Sequence, residues 1–144
     1  MFKTKSSAVI FLLAIVTLVF AGVTHDQFQQ SAKIMRNTCQ PKFKVPDELV
    51  NKLSQGVFPE DKNLKCFVNC FLEIAQTMKR GKVNVPASLK QIDVLVPEDL
   101  KDDYRNALDA CKDSAKGIKD NCEAAYAFLK CTHVKNPSYD FPVN

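Results

Sequence analysis

Residues 64–78 read LKCFVNCFLEIAQTM. Within and just around them, Phe67, Val68, Phe71, Leu72, Ile74, Ala75 and Met78 recur at spacings of three and four, which is the period of an α-helix. Their apolar band is too broad for a helix with one wet side, so the spacing predicts a central helix over residues 63–79, covered on most sides and ended by Gly81. The same stretch carries Cys66 and Cys70. At i and i+4 they point the same way one turn apart, a geometry suited to gripping two other segments rather than each other.

Outward from this pair, Cys39, Cys111, Cys122 and Cys131 complete a set of six, with intervening gaps of 26, 3, 40, 10 and 8 residues. Excluding a Cys66–Cys70 bond removes 3 of the 15 possible pairings and leaves the others open. A zinc site would prefer C-x2-C pairs with a second ligand pair, which this spacing lacks. The amino terminus sets the redox compartment. Lys3 and Lys5 precede the uncharged run Ala8 to Phe20, which ends in the small residues Ala21 and Gly22 and gives way to His25, Asp26 and Gln27. That pattern predicts a secretory signal peptide over residues 1–21, too short to span a membrane, and a mature domain over residues 22–144. A secreted chain with six cysteines is expected to form three disulfides.

The other apolar spacings are helical too. Phe28, Ala32 and Met35 share a face over residues 26–37; Leu49, Val50 and Leu53 do so over 47–54, between Pro46 and Gly56. Leu89, Ile92 and Leu95 predict one or two turns before Pro97. That proline opens a helix over 98–116 with Leu100, Tyr104, Ala107, Leu108 and Cys111 inward. A last helix over 121–132 places Ala125, Phe128, Leu129 and Thr132 together, before a tail, residues 133–144, in which Pro137 and Pro142 forbid further helix. With 144 residues, 46% of them hydrophobic, the chain makes one globular all-α domain rather than a disordered or multidomain protein.

Loss of Lys3 and Lys5 with the leader lowers the formal charge from +4 to +2. Signs alternate along the chain, as in Glu98, Asp99, Lys101, Asp102, Asp103 and Arg105, so a nucleic-acid partner is not expected. Catalysis is not expected either. The cysteines are committed to bonds, the two histidines, His25 and His133, lie near chain or helix ends, and phosphate loops, dinucleotide fingerprints and HExxH are absent. No cofactor or metal is called for.

The cysteine spacing, the leader and the six predicted helices together resemble the insect odorant-binding proteins of the six-cysteine PBP/GOBP type. Within that family the chain is similar to the Lush type, in Ile34 to Lys44 (IMRNTCQPKFK), in Val96 to Glu98 and the charged helix after it, and in Lys119 to Cys131 (KDNCEAAYAFLKC). The resemblance implies six helices knit by interlocked disulfides, Cys39 with Cys70, Cys66 with Cys122 and Cys111 with Cys131, around an apolar cavity. It implies a secreted carrier of small hydrophobic volatiles, odorants or pheromones, moving through sensillum lymph to olfactory receptors as a monomer or weak homodimer. Candidate cavity residues are Phe28, Met35, Leu72, Ala75, Met78, Leu89, Ile92, Leu108, Ala125, Phe128 and Leu129, although for any one of them taken singly core packing is the commoner role of an apolar helix stripe. Thr77 and Tyr104 are the candidate polar groups. Thr77 stands where the Lush-type pattern also has threonine on the third helix, but Leu72 replaces a serine, which favours a larger or less polar ligand than a short alcohol. Tyr139, Phe141 and Val143 give the tail an apolar face, open to a role as a lid over the cavity or to fraying. Two other readings remain open: a carrier of lipophilic cargo outside olfaction, and a secreted factor that binds another protein through an exposed apolar patch.

Overall fold

The computed structural model describes residues 22–137 and Phe141. The expected leader over 1–21 and the tail residues Tyr139 and Val143 lie outside the described residues. Six helices follow in order, α1 (His25–Phe43), α2 (Asp47–Ser54), α3 (Lys62–Ile74), α4 (Val85–Leu95), α5 (Lys101–Cys111) and α6 (Asn121–Lys135). A two-residue hairpin, β1 (Met78–Lys79) with β2 (Lys82–Val83), separates α3 from α4, and a 3-10 turn over Glu98–Leu100 leads into α5. The fold is the all-α, six-helix architecture the sequence predicts.

α3 is the centre. It packs against α6 on one side and α1 on the other, while α5 bridges from α6 to α4. Leu64, Phe67, Val68, Phe71 and Leu72 of α3 are buried, as the broad apolar band requires. Four of the six helix starts carry a side-chain cap. Thr24 and Gln27 form a reciprocal capping box on α1, while Asp61, Asn84 and Asp120 accept from backbone N–H groups at the starts of α3, α4 and α6.

Element ends differ from the sequence reading at several places, among them α4, which starts at Val85 and runs 11 residues where one or two turns were expected, and α5, whose expected first residues form the 3-10 turn. α1 runs to Phe43 rather than residue 37, through Pro41. Pro41 sits in the last turn, where its missing N–H removes one bond, and polar contacts hold that end. Gln40 donates to Val45 O at 2.9 Å and to Asp47 at 2.7 Å, and Arg36 donates to Asp47 at 2.8 Å. α3 stops at Ile74, not 79. Gln76 adopts φ 57°, its N–H reaches Glu73 O at 3.0 Å and the Thr77 N–H reaches Leu72 O at 2.9 Å, the paired bonds of a left-handed helix terminus. The chain then turns back through Arg80 and Gly81, both at positive φ, which is what a two-residue hairpin loop demands. Gly81 also has no room for a side chain, since a Cβ there would come within 2.6 Å of Asn121 Oδ1 on α6. α5 ends at Cys111 rather than 116, and α6 continues to Lys135 until the backbone before Pro137 turns extended, taking three residues from the expected tail.

Three disulfides cross this frame: Cys39–Cys70 joins α1 to α3, Cys66–Cys122 joins α3 to α6, and Cys111–Cys131 joins α5 to α6. The bonds close separations of 31, 56 and 20 residues, each worth about 3–4 kcal/mol of restriction on the unfolded chain in the chain-entropy account. Beside the second bond, a charged clasp pins the α2–α3 connection onto α6. Lys65 Nζ lies 2.5 Å from Glu60 and 2.9 Å from Glu123, and Lys130 donates to Glu60 at 2.5 Å. Both ammonium groups sit over the ring of Tyr126, whose hydroxyl donates to Pro59 O at 2.6 Å. Hydrogen bonds from Lys130 and then Lys65 hold the Glu60 carboxyl down to about 2, from an ordinary 4.5.

Two outcomes are expected. Joint replacement of Cys66 and Cys122 by alanine lowers stability by about 2–5 kcal/mol in denaturant unfolding, with the remaining two bonds still formed by peptide mapping without reduction. Because the Glu60 carboxyl is depressed on folding, its contribution is complete above pH 4.5 and is lost as pH falls from there toward about 2. Stability measured against pH in Glu60→Gln should therefore fall less steeply over that window than in the unaltered protein.

Candidate functional site

The inner faces of five helices converge without filling the space between them. α1 presents Phe28, Ser31, Ala32 and Met35, spaced i, i+3, i+4 and i+7; α4 presents Ser88, Gln91, Ile92 and Leu95 at the same spacing. α3 adds Phe71 and Leu72, with Ala75 and Thr77 just beyond its end; α5 adds Tyr104, Ala107 and Leu108, and α6 adds Phe128 and Thr132. Val96 closes the rim after α4. The cavity volume, counted as space open to the centre of a water molecule, is about 90 Å3. A single water needs about 10–15 Å3 on that measure, so the hollow is large enough to admit a small molecule.

Small side chains, Ala32, Ala75, Ala107, Ser31 and Ser88, form part of the wall. Phe28 and Tyr104 meet edge to face at 5.8 Å across the α1–α5 side. Among the described residues, none that lines the wall carries a formal charge. The site therefore offers dispersion and desolvation, with a few neutral dipoles to orient what enters.

Of the fourteen candidate residues, nine stand in the wall: Phe28, Met35, Leu72, Ala75, Thr77, Ile92, Tyr104, Leu108 and Phe128. The other five lie elsewhere. Leu89 is one residue past Ser88, which turns it outward to 39% exposure. Ala125 and Leu129 are buried on the side of α6 that meets the solid core, while Phe128 and Thr132 face the hollow. Met78 belongs to β1 rather than α3 and is buried outside the wall, because the helix terminates before reaching it. Phe141 is buried as well, its ring 4.7 Å from that of Phe71 without lining the cavity itself.

Thr77 differs in kind from its expected setting. It follows the left-handed terminus of α3 instead of lying on the helix, and its carbonyl accepts from Asn84 N at 2.8 Å. The sequence reading overlooked Ser31, Ser88 and Gln91 because a search for apolar periodicity passes over polar residues, although their spacing from Met35, Ile92 and Leu95 places them on the same helix faces. It treated Ala32, Phe71, Leu95, Ala107 and Thr132 as helix faces only.

Neither histidine belongs to the wall. His25 pairs with Asp99 at 3.1 Å on the surface, and His133 packs edge to face on Phe58 at 5.4 Å. Among the described residues no cluster of His, Cys, Asp or Glu could hold a metal ion, and no helix is long and apolar enough to cross a membrane.

Residues 21–135 match the PBP/GOBP family. The chain is 44% identical over 121 residues to general odorant-binding protein 72 of Anopheles gambiae, covering 84% of this chain and all of that one. It is 39% identical over 125 residues to general odorant-binding protein 19a of Drosophila melanogaster, covering 85% and 86%. In three dimensions it is similar to odorant binding protein 4 of Chrysopa pallens, with a TM-score of 0.76, 37% identity and coverage of 83% of this chain and 98% of that one. A match over most of the chain, relatives at this level of identity and three disulfides on the six-helix frame make this chain a member of the PBP/GOBP family of odorant-binding proteins.

Proposed function

We propose that this protein is a secreted carrier that takes small hydrophobic odorants or pheromones into the cavity between α1, α3, α4, α5 and α6, moves them through sensillum lymph and delivers them to olfactory receptors. The observation that carries the reading is the largely apolar hollow, with no charged residue in its described wall, in a chain of this family. An apolar guest leaves water for an apolar wall, a gain of about 25 cal/mol per Å2 of its apolar surface, before the loss of translational freedom is subtracted. The leader read over residues 1–21 supports secretion, and the disulfides suit an oxidising fluid.

The carrier works as a monomer or weak homodimer and holds its guest without reacting with it. The family is one of carriers, and Tyr104 is the only titratable side chain in the described wall. A role as a protein-binding factor is less well supported. The large exposed apolar side chains Ile34, Val57, Ile74, Leu89, Val94 and Val134 are spread over five segments of the chain.

Displacement of a fluorescent apolar probe by medium-chain esters, ketones or terpenoids tests the reading, and an absence of displacement by all of them would defeat it. Ala107→Phe drives a ring into the cavity from α5 and should weaken such ligands by more than tenfold while far-UV circular dichroism stays unchanged. Undiminished affinity in that variant would place the guest somewhere else on the molecule.

A further inference from the structure

The wall holds six side chains able to hydrogen-bond: Ser31, Thr77, Ser88, Gln91, Tyr104 and Thr132. Three of the hydroxyl protons are already committed. Ser31 donates to Gln27 O at 3.0 Å, Ser88 to Asn84 O at 2.8 Å and Thr132 to Leu129 O at 2.9 Å, each within its own helix or cap. A hydroxyl has a single proton, so these three can offer a guest only lone pairs. Gln91 is different in kind. Its carboxamide brings two N–H donors and a carbonyl, and among the described residues it makes no side-chain hydrogen bond.

Gln91 is half-buried and lies one helical turn after Ser88, facing the same hollow as Ile92. Water can satisfy a half-buried amide while the cavity is empty. A guest that covers it removes that water and must return an acceptor or leave the donors unpaired. A carbonyl oxygen, with two lone pairs and no proton, fits such a donor. An ionised carboxylate does not fit, because among the described residues no cation lines the wall to offset its loss of hydration. Thr77 also lines the wall, and its backbone carbonyl accepts from Ser88 Oγ at 3.4 Å.

We propose that Gln91 is the specificity-determining residue of the cavity: its side-chain amide donates to the carbonyl oxygen of an uncharged medium-chain ligand, an ester, ketone or aldehyde, and the site discriminates against both the ionised acid and the plain hydrocarbon of the same length. This rests on the carrier reading and sharpens it to a ligand class.

The test is displacement of a fluorescent apolar probe by a matched eight-carbon set, 2-octanone, octane and octanoate at pH 8, from the unaltered protein, Gln91→Leu and Gln91→Lys. The unaltered protein should bind 2-octanone at least tenfold more tightly than octanoate and several-fold more tightly than octane. Gln91→Leu should weaken 2-octanone by about fivefold to tenfold, the span expected of one hydrogen bond, and leave octane unchanged. Gln91→Lys should gain octanoate. Equal affinity of the unaltered protein and Gln91→Leu for 2-octanone, or equal affinity of the unaltered protein for octanoate and 2-octanone, overturns the role of Gln91 while leaving the carrier reading in place. Failure of every member of the set to displace the probe from the unaltered protein overturns both.

Discussion

Two cysteines one turn apart on α3 point the same way and are bonded in opposite directions, Cys70 to α1 and Cys66 to α6. The central helix is thereby tied to both neighbours by covalent bonds whose strength does not depend on how well side chains interlock. Most small domains must fill their interiors to native density, because each void forfeits dispersion contacts that nothing else replaces. Here the crosslinks act on the unfolded state, and Cys111–Cys131 ties α5 into the same frame. The helices can then stop short of meeting in the middle.

The end of α3 lies at the cavity wall. Had α3 continued to residue 79, Met78 and Thr77 would lie on its faces. Instead Gln76 takes a left-handed conformation, the paired bonds from Gln76 and Thr77 close the helix, and the chain doubles back as a hairpin whose Gly81 rests against Asn121. Leu72 and Thr77, joined by the last of those bonds, both end in the cavity wall. The terminus of one helix thus supplies an apolar and a polar element of the site together.

The electrostatics of the molecule are sorted by place. None of the described ion pairs includes a cavity-wall residue, and the tightest group, Lys65 and Lys130 with Glu60, Glu123 and the Tyr126 ring, secures the connection before α3. The described wall carries no charge, and three of its hydroxyls are turned back onto nearby carbonyls, which lets a serine or threonine line an apolar site at little desolvation cost. A wall of this kind suits a hydrophobic guest that must be taken up and given back, since no buried ion pair has to be made or broken on either passage.

The sequence by itself determined the helical class, the central place of α3, the commitment of all six cysteines and the family. Those follow from local periodicity and from cysteine spacing, which a linear chain displays openly. Eight of the nine wall residues named from the sequence lie on inward stripes, as Phe28 with Met35 or Tyr104 with Leu108 do, whereas Thr77, and the expectation of a hollow at all, came from the family resemblance. Only the tertiary structure decided that Ala125 and Leu129 are solid core while Phe128 and Thr132 line the hollow, that Leu89 faces solvent, and that polar Ser31, Ser88 and Gln91 face inward. An apolar stripe says which side of a helix is dry but not whether another side chain or empty space lies opposite. That depends on how closely five helices approach one another, and the distance is set by crosslinks and helix ends remote in sequence from the residues that line the gap.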